Sequence, residues 1–180
     1  MKELKAYITE GIFDIDDNID KIDKYIKLQI KQFLNHNYYG YTNCKISRKP
    51  NNDGKYEVTC SKNIEVKNKN IVSLTNDAFV WADVGGDFIC HRCYFLKFLE
   101  GAPKKVGGSF YCEYCASLTS LEGAPEEVDK DFNCIRGDSL NTLKGAPREV
   151  GGNFKYINCK IKFTEEEIKK VSNVKKYIIC

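Results

Sequence analysis

The sequence is short of several residue types, and each shortage excludes something. It has two histidines, His36 and His91, so chemistry that relies on imidazole has two positions to choose from. His36 sits in a polar stretch and reads as solvated. No apolar run approaches the length of a membrane span, which argues against a membrane partner. Charge of one sign is also missing. Lys plus Arg number 28 against 25 Asp plus Glu, a net charge of +3, so no basic track points to nucleic acid. There is no phosphate loop: Gly107-Gly108 and Gly151-Gly152 recur as corners of a longer pattern. No nucleophile has a base at a recognised spacing. The chain therefore reads as a non-enzyme that needs no cofactor. Met1-Lys-Glu-Leu-Lys5 lacks the apolar stretch of a secretory signal, which implies a cytoplasmic protein.

What is there is a repeat, LxxLxGAPxxVxxxFxC. Gly-Ala-Pro occurs at Gly101, Gly123 and Gly145, 22 residues apart each time. Leu96 and Leu99, Leu118 and Leu121, and Leu140 and Leu143 precede these in phase. Val84, Val106, Val128 and Val150 share one register, and Phe88, Phe110, Phe132 and Phe154 another. Cys90, Cys112 and Cys134 share a third, continued by Tyr156, and Cys93, Cys115 and Cys159 a fourth, interrupted at Gly137. One unit of this length cannot bury its own anchors, but stacked copies can. Phe110 and Cys112 alternate with Ser109, Tyr111 and Glu113, which predicts a short strand with Phe and Cys inward. Gly107-Gly108 supplies a flexible corner before it. Leu118 and Leu121 predict a tight bend running into a second short strand near Glu122, with Pro125 at the next corner.

The stretch Cys115-Ala-Ser-Leu118-Thr-Ser-Leu121, then Pro125, Val128, Phe132 and Cys134, resembles a leucine-rich repeat of the BspA-like subgroup. The GAPxxVGGxFxC variant is similar to repeat proteins encoded by tailed phages and found in their bacterial hosts. The resemblance covers about residues 64 to 163. It implies an α+β chain built on a leucine-rich-repeat β-solenoid with 22-residue coils and a helical cap at each end. It also implies a binding role, since the family serves mainly to bind unrelated partners.

The remaining segments fit that frame. Residues 1–40 form an N-terminal helical segment. Leu4, Ile8 and Ile12 predict a short helix over 2–13, and Ile15, Ile19, Ile22, Ile26, Ile30 and Phe33 predict a longer one whose Ile face covers the first coil. Asp14, Asp16, Asp17 and Asp20 suit the positive end of that helix better than a cation site. The first ten residues also resemble the short helices that address internal proteins to phage heads, which would make the chain a virion protein. Residues 41–63 predict a hairpin turning at Pro50-Asn-Asn-Asp-Gly54. Ile64, Val66, Ile71 and Leu74 lead into the repeats of 64–163, where Trp81 replaces the repeat proline. Residues 164–180 predict a helical cap that opens on Thr164 and Glu167 and faces Ile168, Val171, Val174 and Ile178 to the last coil.

Nine cysteines, an odd number without an export signal, read as reduced thiols. Cys90, Cys93, Cys112 and Cys115 have zinc-ribbon spacing, with His91 as a spare ligand. The same positions recur in phase with Leu, Phe and Val, which favours buried structural thiols over metal. The outward positions carry the functional expectation. Ile89, Tyr111, Asn133 and Lys155 are the outward residues of the first strand. Tyr94, Lys97, Phe98, Glu100, Tyr111, Tyr114, Ser120, Glu122, Thr142 and Lys144 are the candidate contacts to a protein partner. Aromatic residues beside charge favour such an interface. The phage-type resemblance implies a partner in an infected bacterium, a host or defence factor blocked by occlusion.

Overall fold

The computed structural model describes residues 15–180, with side-chain environments from Asp20 onward. The helix expected over 2–13 lies outside the described residues, as does the start of the aspartate cluster. From Ile64 to Ile179 the chain winds as a β-solenoid of about six turns. Each turn gives one short strand to each of two seven-stranded sheets that face each other across the core. The first sheet contains β4 (Ile64–Val66), β6 (Phe88–Ile89), β8 (Phe110–Tyr111), β10 (Phe132–Ile135), β12 (Phe154–Ile157) and β14 (Ile178–Ile179), all parallel. The second contains β5 (Phe79–Val84), β7 (Lys105–Val106), β9 (Glu127–Val128), β11 (Glu149–Val150) and β13 (Asn173–Val174).

The 22-residue period places like residues over like. Phe88, Phe110, Phe132 and Phe154 pair in register and are fully buried. The first three rings stack with centroids 5.7 and 5.6 Å apart and planes within 5°. Phe154 follows at 4.9 Å, tilted by 44°. Val84, Val106, Val128 and Val150 form a parallel column from the second sheet. The paired leucines of each coil point inward between the two.

Three local expectations are corrected. No strand forms near Glu122; the second strand is Glu127–Val128, beyond the proline. The reason is local: Leu118 and Leu121 are both buried, so the chain must turn between them, and Gly123 then takes a left-handed φ of 82°. An extended run starts only past that turn. The Gly107-Gly108 corner does not use glycine's freedom, because neither φ is positive. It uses the missing side chain: a Cβ on Gly107 would sit 2.7 Å from the Gly85 carbonyl oxygen of the coil below. Finally, the C-terminal cap is a helix, α2 (Glu165–Val171), followed by two strands. Thr164 Oγ1 accepts from the Glu167 amide at 3.2 Å and Glu167 Oε2 accepts from the Thr164 amide at 2.8 Å, the predicted capping box. Ile168 is buried, but Val171 is exposed. The chain leaves the helix because β11 and β12 present unpaired edges: Asn173 donates to the Arg148 carbonyl at 2.8 Å and Phe154 to that of Tyr177 at 2.9 Å.

At the other end α1 (Ile15–Asn37) lays Ile30 and Leu34 against the stack, with Ile26 and Phe33 half-buried. An aromatic plug closes the phenylalanine column there. Phe33 meets Phe79 at 5.6 Å, and Trp81 meets Tyr38 at 5.2 Å and Phe88 at 5.9 Å. Trp81 Nε1 and the Tyr38 hydroxyl both donate to the Leu74 carbonyl, at 2.9 and 2.6 Å, so neither polar atom is orphaned. β1 (Tyr38–Tyr39) covers the first sheet, antiparallel to β4. The hairpin of β2 (Cys44–Ile46) and β3 (Tyr56–Cys60) covers the second sheet, with Gly54 left-handed at its turn. Its register sets Cys44 directly across from Cys60, and the two form a disulfide. That corrects the reading of all nine cysteines as reduced. The predicted hairpin put the two cysteines on facing arms, but its register, which sets them directly opposite, was not fixed by the turn signal.

One polar ladder was not anticipated. In each coil the residue before the core phenylalanine holds the equivalent amide of the next coil. Asp87 Oδ1 accepts from Ser109 N at 2.7 Å, Ser109 Oγ from Asp131 N at 3.3 Å, and Asp131 Oδ1 from Asn153 N at 2.8 Å. The signal in the sequence is a small acceptor side chain at every such position. Asp131 also takes Lys155 Nζ at 2.8 Å. Desolvation at this corner raises its carboxyl, but the Asn153 amide and the Lys155 ammonium outweigh that and hold it below the ordinary value. A depressed carboxyl stabilises above its unfolded value of about 4, and this is lost as pH falls through the folded value. Asp131→Asn should therefore cost about 1 kcal/mol at neutral pH. Urea denaturation should show the gap between wild type and variant narrow as pH falls below about 4; a gap that stayed constant with pH would refute the electrostatic origin.

Candidate functional site

The corner that follows each first-sheet strand carries the chief irregularity of the solenoid. Arg92, Tyr114, Arg136 and Asn158 occupy one register and all have φ between 55° and 58°. This left-handed region suits glycine and asparagine; other residues are strained there by about 1–2 kcal/mol each. Asn158 is a natural occupant, whereas Arg92, Tyr114 and Arg136 are not. Nothing in the sequence marked the geometry, because none of the three is a left-handed residue type. The strain is imposed by the repeat, whose inward pairs Cys90/Cys93 and Cys112/Cys115 force a sharp turn between them.

The side chains of that register interlock. Arg92 and Arg136 approach the Tyr114 ring from the coils on either side, with guanidinium carbons 5.6 and 5.4 Å from its centroid. His91 packs on the same ring at 5.1 Å, and its Nδ1 lies 3.5 Å from Glu113 Oε2. The next register outward reads Tyr94, Ala116, Asp138. The small Ala116 between two larger neighbours leaves a shallow cavity of about 390 Å³, lined by Tyr94, Tyr114, Ala116, Arg136, Asp138 and Asn158.

Elsewhere on the stack, several charges pair between coils. Glu122 meets Lys144 at 2.6 Å, Glu126 meets Arg148 at 3.0 Å and Glu127 meets Lys105 at 3.3 Å. Among the described residues Arg92 and Arg136 have no carboxylate within ion-pair distance.

The structure separates the ten candidate residues into groups. Tyr94 and Tyr114 meet at the left-handed corner, and Tyr111 lies half-buried on the first sheet beside it. Lys97, Phe98, Glu100, Glu122, Thr142 and Lys144 follow on the strand-free arc before each Gly-Ala-Pro. Tyr94 and Phe98 are 47% and 44% exposed, large for apolar rings on a surface. Ser120 does not belong with them. It is 5% exposed, and its hydroxyl accepts from the Glu122 amide at 2.9 Å. Thr142 makes the equivalent turn with Lys144 at 3.2 Å. In this register Ser120 and Thr142 close the turn with a hydroxyl, whereas Phe98 takes the same position in the coil before and stays exposed. Asn133, expected outward, is likewise buried between the rows of Tyr111 and Lys155.

The cysteines hold the coils together. Cys90 Sγ lies 3.0 Å from the Tyr111 carbonyl oxygen, Cys115 Sγ 3.0 Å from that of Cys90, and Cys159 Sγ 3.3 Å from that of Cys134. Each contact joins neighbouring coils and requires a protonated thiol as donor. Burial pushes the Cys90 thiol well up. For Cys112 a contact from Cys134 pulls down, but burial and the surrounding thiols win and carry it to about 12. Among the described residues no group of three or more His, Cys, Asp or Glu side chains is arranged to hold a metal ion, Cys90, Cys93, Cys112 and Cys115 included. No described helix is long and apolar enough to cross a membrane.

These features define a repeat protein, a β-solenoid of stacked 22-residue coils with a helix at each end. No protein family, curated protein or solved structure matches the chain.

Proposed function

We propose that this chain is a non-catalytic leucine-rich-repeat protein of the BspA-like, phage-type group, and that it binds a protein partner through the solenoid edge bearing Arg92, Tyr114 and Arg136. The reading assigns it to a phage-infected bacterium, where a rigid surface blocks a host or defence factor by occlusion. One observation carries the binding role. In three successive coils the left-handed position, shared with Asn158 in the fourth, holds Arg92, Tyr114 and Arg136, and these side chains line one edge. The repeat imposes the turn, but glycine or asparagine would occupy it without strain; Arg and Tyr stand there instead, and these residue types are enriched in binding hot spots. The exposed rings of Tyr94 and Phe98 extend the same surface along the arc.

The test pairs affinity capture with stability. Tyr114→Asn removes the ring while relieving the left-handed strain. That relief of about 1 kcal/mol is offset by two exposed cation–π contacts of about 0.5 kcal/mol each. The melting temperature should stay within about 3 °C of wild type. Capture of a partner from phage-infected host lysate, quantified by mass spectrometry, should fall at least about tenfold, the scale of a hot-spot loss. Equal capture by the variant, or no partner enriched by wild type over a blank matrix, would overturn the proposal.

A further inference from the structure

We infer that the left-handed edge recognises an acidic segment of its partner in polyproline conformation, with two carboxylates three residues apart received by Arg92 and Arg136 on either side of Tyr114. The inference rests on the protein-binding reading above and specifies the chemistry of the partner.

The argument starts from charge. Several lateral charges pair coil to coil; among the described residues the two guanidiniums at this edge have no carboxylate in range, and unlike Lys97 and Lys104, which also have none, they flank one shared aromatic ring. Both are exposed, and both are oriented by the tyrosine ring between them, so their conformational freedom is already reduced. A guanidinium ordered in this way is a bidentate receptor for a carboxylate. Spacing comes next. The two arginines are two coils apart, and parallel strands repeat at about 4.8 Å, which puts them about 10 Å apart. A polyproline helix has three residues per turn and rises about 3.1 Å per residue, so side chains at i and i+3 share a face about 9 Å apart. A β-strand presents one face at i and i+2 or i+4, about 7 or 13 Å, and matches less well. The exposed ring of Tyr94, beside the cavity it lines with Tyr114, is the kind of surface on which proline rings pack.

Asp138 completes the specificity. It lines the cavity beside Arg136 and disfavours a third acid there, so the segment should be acidic at two positions and neutral between them. The same residue, with Glu113 nearby, argues against a nucleic-acid strand, which would bring a phosphate at every step of its backbone.

The experiment uses the full chain and fluorescein-labelled peptides followed by anisotropy at about 20 mM salt. The sequence PEPPEP should bind at least about tenfold more tightly than PQPPQP or PKPPKP. Raising salt to about 150 mM should weaken it severalfold, as expected for exposed charges. The double variant Arg92→Gln/Arg136→Gln should bind PEPPEP no better than wild type binds PQPPQP, with circular dichroism unchanged. Equal binding of the three peptides overturns the inference, as does preferred binding of labelled oligothymidylate. The double variant is also carried through the lysate capture. Undiminished capture leaves protein binding standing and removes the acidic partner. A wild-type chain that selects PEPPEP but enriches nothing from lysate keeps the acidic specificity and removes the infected-cell partner.

Discussion

Alanine in place of Gly123 should destabilise the protein by about 3–4 kcal/mol and lower its melting temperature by about 10 °C. Two costs add. Gly123 has a φ of 82°, where a Cβ is disfavoured by about 1–2 kcal/mol. The new Cβ would also lie 2.4 Å from both the nitrogen and the Cα of Glu100, and 2.6 Å from the carbonyl carbon of Leu99. All are backbone atoms of the preceding coil, so no side chain can swing aside. Relief requires the coils to separate, which breaks the Leu99 amide bond to the Glu122 carbonyl at 2.8 Å. Gly54→Ala is the internal control. Its φ is 71°, but nothing lies within 4 Å of the added Cβ, so it should cost about 1–2 kcal/mol. Thermal melts followed by circular dichroism compare the two directly. Equal losses at Gly123 and Gly54 would mean that the coils are not stacked this closely.

That contrast also shows which parts of the architecture could be read from the chain. Gly123 and Gly145 announce the coil because the same residue is needed wherever backbone meets backbone, and the requirement recurs every 22 residues. The phenylalanine, valine and leucine columns were legible for a similar reason: a buried position in a stack tolerates few residue types, so its register shows. Trp81 could be placed at the closed end because it breaks one column where a plug is needed. Features set by the path of the backbone were not legible. Arg92, Tyr114 and Arg136 share a left-handed turn that their residue types do not favour, so the strain appears only in the dihedral angles. The second strand was displaced because a leucine pair at three-residue spacing fits a bend or a helix turn equally well. Ser120 was placed outside because its neighbours Thr119 and Glu122 are polar, although its hydroxyl closes a turn. The C-terminal strands were absent from the expectation because Ile178–Ile179 carries no pattern of its own; the open edge of β12 makes it a strand.

Phe110→Ala should be the most damaging single change in the core, with a loss of about 3–5 kcal/mol in urea or thermal denaturation. Phe110 is fully buried, and its ring has a parallel neighbour on both sides, Phe88 at 5.7 Å and Phe132 at 5.6 Å. Truncation removes the transfer energy of the ring and two aromatic contacts. It also leaves a void that neighbouring coils cannot fill, because their backbones are pinned by parallel ladders on both sheets. A stacked repeat protein gains stability from each interface between neighbours, so a defect at the middle weakens the link between two halves. Hydrogen exchange should then divide the molecule. Amides from Ile64 to Ile89 rest on the aromatic plug of Phe33, Tyr38 and Trp81 and should keep most of their protection. Amides from Phe132 to Ile157 should lose protection as one unit. The comparison is Phe154→Ala, whose ring is tilted by 44° against Phe132 and has Ile178, not another ring, as its partner on the far side. It should cost about 1–2 kcal/mol less, with protection falling only from β12 onward. A uniform loss of exchange protection in Phe110→Ala, or equal costs for the two variants, would show that the coils fold as one inseparable unit and that position in the stack is irrelevant to stability.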